Sequence, residues 1–162
     1  QNNIYDFNVA RKDLEYNSIT RMPKICVGSL YDDMYRRDFT INSLAEDPNG
    51  NIIDYFNGIS DINNKIVRTI IDPNISIEQD PLRILRGIRF AITLNFTIDN
   101  KLETAINNFN YSLMNKITTD KIMKELKLCF SHNTLATLRI LNKFKNLETY
   151  LFDKNIKLMP KF

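Results

Sequence analysis

Asp80, Arg83, Arg86 and Arg89 recur at every third residue within QDPLRILRGIRF, residues 79–90. On a helix, a three-residue step falls about 60° short of a full turn, so these four side chains form one slanting stripe. Leu82, Ile84, Leu85, Ile88 and Ile92 take the remaining arc and can face a core. A carboxylate and a guanidinium one turn apart can hold each other rigid, offering acceptors and paired donors to the edge of a nucleobase. Arg86 and Arg89 are then free for phosphates. Asp80-Pro81 also reads as a plain helix start, Asp at the N-cap and Pro at the first helical position. Three arginines beside it could be a solvated face tied by an (i, i+3) pair to Asp80.

Arginine usage favours the nucleotide reading. The chain has nine arginines against thirteen lysines, and six of the nine fall at Arg11, at Arg36-Arg37 and at Arg83, Arg86 and Arg89. Arginine presents a planar fork to phosphates and bases that lysine cannot reproduce. Arg36, Arg37, Asp38 and Asn42, within RRDFTIN, make a second constellation with donors for phosphate and partners for sugar hydroxyls. As a bland alternative it is a solvated charge pair beside a helix break. A third stretch, NIIDYFNGISDINNKIVR (51–68), carries Asp54, Gly58 and Asp61, which read as turn and cap residues.

These side chains need a scaffold. Residues 4–11 alternate and predict a strand, with Asp6 and Arg11 as polar punctuation; 12–24 predict a loop and 25–27 a short strand ending at Gly28. Ser29 is a fair N-cap for a helix over 31–46, broken near Arg37-Asp38. Asp47, Pro48, Asn49 and Gly50 signal a turn. Strands are predicted at 51–54 and 65–70 around a short helix at 60–63. A boundary is expected at Asp72-Pro73-Asn74. Helices are predicted at 80–94, at 99–109 (opened by Asn100 with Glu103 as a capping box), at 119–130 and at 133–145, with a tail from 153. The fold class is α+β: a mixed part over 1–71, an all-helical part over 72–152 and a tail over 153–162.

Bulk composition narrows the classes. At 162 residues with 43% hydrophobic content, ten Phe and seven Tyr, a real core can form. No apolar run approaches the ~20 residues that span a bilayer, so no membrane partner is expected. Cys26 and Cys129 stand alone and read as reduced thiols in a cytosol-like compartment, with zinc disfavoured. His132 is the only histidine, which leaves little for histidine-based acid–base chemistry. A net charge of +3 tolerates nucleic acid without demanding it.

In order and spacing, RRDFTINSLA, IIDYFNGISDINNKIVR and EQDPLRILRGIRFA closely resemble the class II tRNA nucleotidyltransferase family, over about residues 4–130. That family comprises the CCA-adding enzymes, their CC- and A-adding specialists and bacterial poly(A) polymerases. The resemblance implies a palm-like head followed by a helical neck, with IIDYFNG between them. It implies template-independent addition of CCA to the tRNA 3′ end from CTP and ATP. Arg37 matches a nucleotide-contacting arginine and Asp38 a ribose-recognising aspartate, with Asn42 in the same motif. Asp80 and Arg83 match the pair that hydrogen-bonds the incoming base. Arg86 and Arg89 match neighbouring nucleotide-binding arginines, and Asp6 matches the third acidic position of the catalytic head.

The family places Mg²⁺ on an Asp-x-Asp strand behind a Gly-Ser loop. Here Gly28-Ser29 precedes Asp32-Asp33 without the alternation, and Asp13-Leu14-Glu15 alternates without the loop. No metal ligand is therefore assigned in this chain. Mg²⁺ is expected on residues outside it, in a missing N-terminal segment or a second chain, and the chain alone is expected to be inactive. Gln79 stands where the family has an acidic residue, which is expected to loosen the orientation of Arg83. A poly(A) polymerase and an inactive relative serving as an RNA-binding scaffold are the alternative readings. The expected setting is cytoplasmic, with mitochondrial as the alternative.

Overall fold

The computed structural model describes residues 8–16 and 23–153. Asp6 and the first half of the first expected strand lie outside them. Strand β1, Arg11–Tyr16, occupies part of the stretch where a loop is predicted, and pairs antiparallel with β2, Pro23–Val27. Lys12 stands opposite Cys26 and Asp13 opposite Ile25.

Helix α1, Leu30–Tyr35, starts on a reciprocal cap: the Asp32 amide donates to Ser29 Oγ (3.1 Å) and the Ser29 amide to Asp32 Oδ2 (2.9 Å). It ends at the break expected near Arg37-Asp38, and the helix does not resume to residue 46 as the sequence pattern predicts. The Asp38 side chain takes the Phe39 amide (3.1 Å) and the Asn42 carboxamide (2.7 Å), and so offers the backbone a turn in place of the next helical bonds. A 3₁₀ turn follows at Thr40–Asn42, and β3, Ala45–Glu46, then pairs antiparallel with β4, Ile52–Ile53. Between them Gly50 adopts φ 85°, as the turn signal requires.

Helix α2, Gly58–Asn63, is capped by Asp54, which accepts from the Gly58 and Ile59 amides at 2.9 Å each. Asp61 is not a cap. It is buried and receives Thr40 Oγ1 (2.7 Å) and Arg68 Nε (3.1 Å), riveting α2 to the 3₁₀ turn. Strand β5, Ile66–Val67, pairs in parallel with β6, Thr97–Ile98. Arg68 reaches Asp99 at 3.3 Å. Elements on both sides of Asp72 therefore share one sheet and one core, in which Phe39 and Val67 pack with Ile84, Ile88, Leu102 and Ile106.

The expected boundary at 72–74 is itself a helix start. Asp72 caps α3, Pro73–Gln79, through the Asn74 and Ile75 amides, with Pro73 in the first turn. Asp80 breaks the run with an extended backbone, φ −141°, before α4, Leu82–Leu94, begins. Helix α5, Asn100–Asn108, is capped by Asp99 rather than Asn100. A 3₁₀ segment, Tyr111–Lys116, leads to α6, Thr119–His132, α7, Thr134–Lys143, and α8, Lys145–Asp153. The break after α7 falls at the buried Phe144. The apolar arc of α4 packs as its spacing predicts: Ile84, Leu85 and Ile88 are fully buried. No helix among the described residues is long and apolar enough to cross a membrane.

Candidate functional site

The polar arc of α4 is not a solvated stripe. Its three arginines go to three different partners, and Asp80 is none of them. Arg83 is only 8% exposed. Its Nη1 donates to Ser76 Oγ (2.9 Å) and more weakly to the Ser76 carbonyl (3.4 Å), and its Nη2 to the Arg36 carbonyl (3.2 Å). Asp80 instead accepts the Leu82 amide at 3.1 Å, as a helix-start residue does. The expected mutual clamp between Asp80 and Arg83 is therefore replaced by two separate anchors. Both side chains keep polar atoms uncommitted among the described residues.

Arg86 Nη2 lies 2.8 Å from Asp38 Oδ2. The contact is an ion pair off the hydrogen-bond axis, since Oδ2 has no hydrogen-bond donor among the described residues. Arg89 turns to the helical side: its Nε donates to Glu125 Oε2 on α6 (2.7 Å), and its guanidinium lies 4.4 Å from the centre of the Phe90 ring.

The Arg36–Asp38 turn is organised around a residue that the sequence reading weighs only as part of a failed metal motif. Asp33, on α1 and 8% exposed, accepts from Arg36 Nε (3.0 Å), from Arg37 Nη2 (3.2 Å) and from the Arg11 amide (3.4 Å). Burial pushes its carboxyl up, but the bonds from Arg36, Arg11 and Arg37 outweigh that and hold it below the ordinary carboxylate range. Arg37 Nη1 also donates to the Asn42 carbonyl (3.0 Å). The only sequence signal for Asp33 is its spacing, three and four residues before the two arginines on a short helix. Glu125 and Ser76 carry no such signal, because each meets its arginine from another helix.

Four motif residues therefore meet in space. Arg83 and Arg86 of α4 both reach back to the turn, one to the Arg36 backbone and one to the Asp38 carboxylate. Beside them a cleft of about 340 Å³ is lined by Lys12, Asp13, Tyr35, Arg36, Gln79 and Arg83, among others. Among the described residues, no group of three or more His, Cys, Asp or Glu is placed to hold a metal ion. Three carboxylates of the N-terminal part serve local structure. Asp32 caps α1 and meets Lys12 at 3.5 Å, Asp33 holds the arginines, and Asp13 faces Arg11 at 3.5 Å.

Residues 1–68 match the poly(A) polymerase head domain. The chain is 34% identical to a CCA-adding enzyme of Staphylococcus epidermidis, over 98% of this chain and 40% of that protein. It is also 34% identical to an A-adding tRNA nucleotidyltransferase of Aquifex aeolicus, over 96% of this chain and 20% of that protein. The crystal structure of the Bacillus stearothermophilus CCA-adding enzyme in complex with CTP superposes with a TM-score of 0.64 at 33% identity, covering 67% of this chain and 28% of that one. The chain thus spans well under half the length of the relatives it matches. It belongs to the family of the CCA-adding tRNA nucleotidyltransferases and poly(A) polymerases, of which it carries a head-to-helical-neck segment.

Proposed function

We propose that the protein adds nucleotides to an RNA 3′ end without a template, building CCA on tRNA from CTP and ATP. The observation that carries this is the convergence of Arg83 and Arg86 on the Arg36–Asp38 turn. A nucleotide laid across that junction meets phosphate donors on one side and base-reading groups on the other.

The roles follow from what each side chain has left to give. Arg37, steadied by Asp33 and the Asn42 carbonyl, offers its remaining N–H groups to the triphosphate. Asp38, joined by Asn42, serves the ribose hydroxyls. Arg83 spends Nη1 on Ser76 and part of Nη2 on Arg36, and keeps Nε–H and one Nη2–H for two acceptors. Cytosine presents two adjacent acceptors, N3 and O2. The carboxylate oxygen of Asp80 not used at the helix start accepts from the exocyclic amine of C or A. Arg86 steadies Asp38 while facing the nucleotide. Arg89 completes the set from the α6 seam, with its terminal nitrogens uncommitted among the described residues.

Mg²⁺ is assigned mainly to carboxylates outside this chain, and Asp6, to which no metal is assigned, is the third acidic position of the head. The 162-residue chain alone is then expected to bind nucleotide weakly and not to turn over. The bacterial relatives support a cytoplasmic setting. The test is extension of a labelled tRNA ending at its discriminator base by the full-length protein with Mg²⁺, each NTP singly, then CTP with ATP. Two C followed by one A is the expected product. Addition of A alone to tRNA already ending in CC would favour the A-adding reading that the Aquifex aeolicus relative supports. Long A tails would mark a poly(A) polymerase, and no addition with retained tRNA binding an inactive RNA-holding relative.

A further inference from the structure

Gln79 lines the cleft, yet it makes no hydrogen bond to Arg83; both bonds to Nη1 come from Ser76. Ser76 lies on α3 and is fully buried. Its carbonyl receives the Asp80 amide (3.2 Å) as well as Arg83 Nη1, and its hydroxyl makes the shortest contact that Arg83 has, 2.9 Å. One residue therefore touches both the backbone of Asp80 and the guanidinium of Arg83.

We propose that Ser76 is the positioning residue for Arg83, its hydroxyl fixing which N–H groups the arginine presents to the base. The proposal rests on the nucleotide-reading role given to Arg83 above. Five N–H donors fan out from a guanidinium in one plane. With Nη1 held on Ser76 and Nη2 on the Arg36 carbonyl, the plane is fixed and the Nε–H is left without a hydrogen-bond partner among the described residues. Without the hydroxyl, only the long 3.4 Å contact to the Ser76 carbonyl remains at Nη1, and the plane can rotate. Selectivity among bases depends on that plane, whereas attraction to a phosphate does not. Ser76 also joins the base reader to α3, whose start is fixed by the Asp72 cap, so Arg83 is oriented from the helical part and from the turn at once.

The test compares Ser76→Ala and Gln79→Ala in the full-length protein by two readouts. The first is the ratio of kcat/KM for CTP over UTP at fixed tRNA. The second is the NMR signal of the Arg83 guanidinium in protein labelled with ¹⁵N-arginine, assigned with Arg83→Lys. Ser76→Ala is expected to lower the CTP preference about fivefold, the worth of one ordinary hydrogen bond. It is also expected to collapse the separate Nη resonances of a held guanidinium into one averaged signal. Gln79→Ala is expected to leave both unchanged. The proposal is overturned if Ser76→Ala lowers CTP and UTP use equally, if selectivity survives a mobile Arg83, or if Gln79→Ala alone reproduces the loss. If the unaltered protein transfers no nucleotide, the functional reading fails, and the guanidinium signal still decides whether Ser76 holds Arg83.

Discussion

Arg86 Nη2 sits 2.8 Å from Oδ2 of Asp38, a carboxylate that is 4% exposed and whose other oxygen is taken by Asn42 and the Phe39 amide. That pair joins α4 to the turn that ends α1. Around it, Phe39 is wholly buried and stacks edge-on to Phe90, with ring centres 5.6 Å apart. Charge and packing thus hold together the two stretches to which the nucleotide chemistry is proposed.

Arg86→Met is expected to destabilise the protein by leaving the Asp38 carboxylate without its counter-charge. Fully buried pairs cost about 3–5 kcal/mol when one partner is removed. Arg86 is about one-third exposed, so solvent screening brings the expectation to about 1–2 kcal/mol. Adding Asp38→Asn to Arg86→Met should recover part of the loss. Urea unfolding of the two variants and the parent checks this, and an Arg86→Met midpoint equal to the parent's would refute it.

Asp33 sets an acid limit on stability. Its carboxyl is held below the ordinary 3.8 in the folded chain, so its contribution is fully present above about pH 4 and drains away as pH falls through the lower folded value. Asp33→Asn is expected to lower stability at pH 7 and to flatten the decline below pH 4. Denaturant melts from pH 2.5 to 7 measure both. Parallel stability–pH curves for variant and parent would contradict the assignment.

The sequence made the apolar arc of α4, the Asp47–Gly50 turn and the helical second part legible, because each has a local cause: a 3.6-residue period, a positive-φ glycine, a cap. It placed the helix break near Arg37-Asp38 correctly but misread 39–46 as resumed helix, because the Asp38 side chain competes with the helix through bonds invisible in hydrophobic period. It missed α3, where Asp72, Pro73 and Asn74 look like a boundary until Asp72 is seen as a cap. At the site, residue types and spacing singled out Arg37, Asp38, Asp80, Arg83, Arg86 and Arg89. Their partners Ser76 and Glu125 come from other helices, and no spacing rule reaches across a helix break. Hence Asp80 and Arg83 looked like a pair, while their anchors are the Leu82 amide for one and Ser76 and Arg36 for the other.

Gly58 is irreplaceable for steric reasons. A Cβ there would stand 2.3 Å from the Thr40 carbonyl oxygen, a backbone atom that is itself fixed in the 3₁₀ turn. Gly58→Ala is expected to cost about 1–3 kcal/mol or more, read as a fall in thermal midpoint. An unchanged midpoint would show that α2 and the turn are not packed this closely.

The two cysteines should label very differently. Burial, with Glu125 nearby, pushes the Cys129 thiol up to about 11, while Cys26 is exposed on β2. At pH 8 a thiol reagent followed by peptide mapping is expected to modify Cys26 in the folded protein and Cys129 only after denaturation. Equal labelling of both would place Cys129 outside the core.

The most direct test of the central claim, that α4 and the Arg36–Asp38 turn form one nucleotide site with divided labour, is single-nucleotide addition to tRNA by Arg83→Ala and Arg37→Ala. kcat/KM is measured for CTP, ATP and UTP with the full-length protein. Arg83→Ala should collapse discrimination between CTP and UTP, since its N–H edge is proposed to read the base. Arg37→Ala should raise KM for all three alike, because a phosphate contact carries no base information. A uniform loss in Arg83→Ala, or a base-selective loss in Arg37→Ala, would contradict the account.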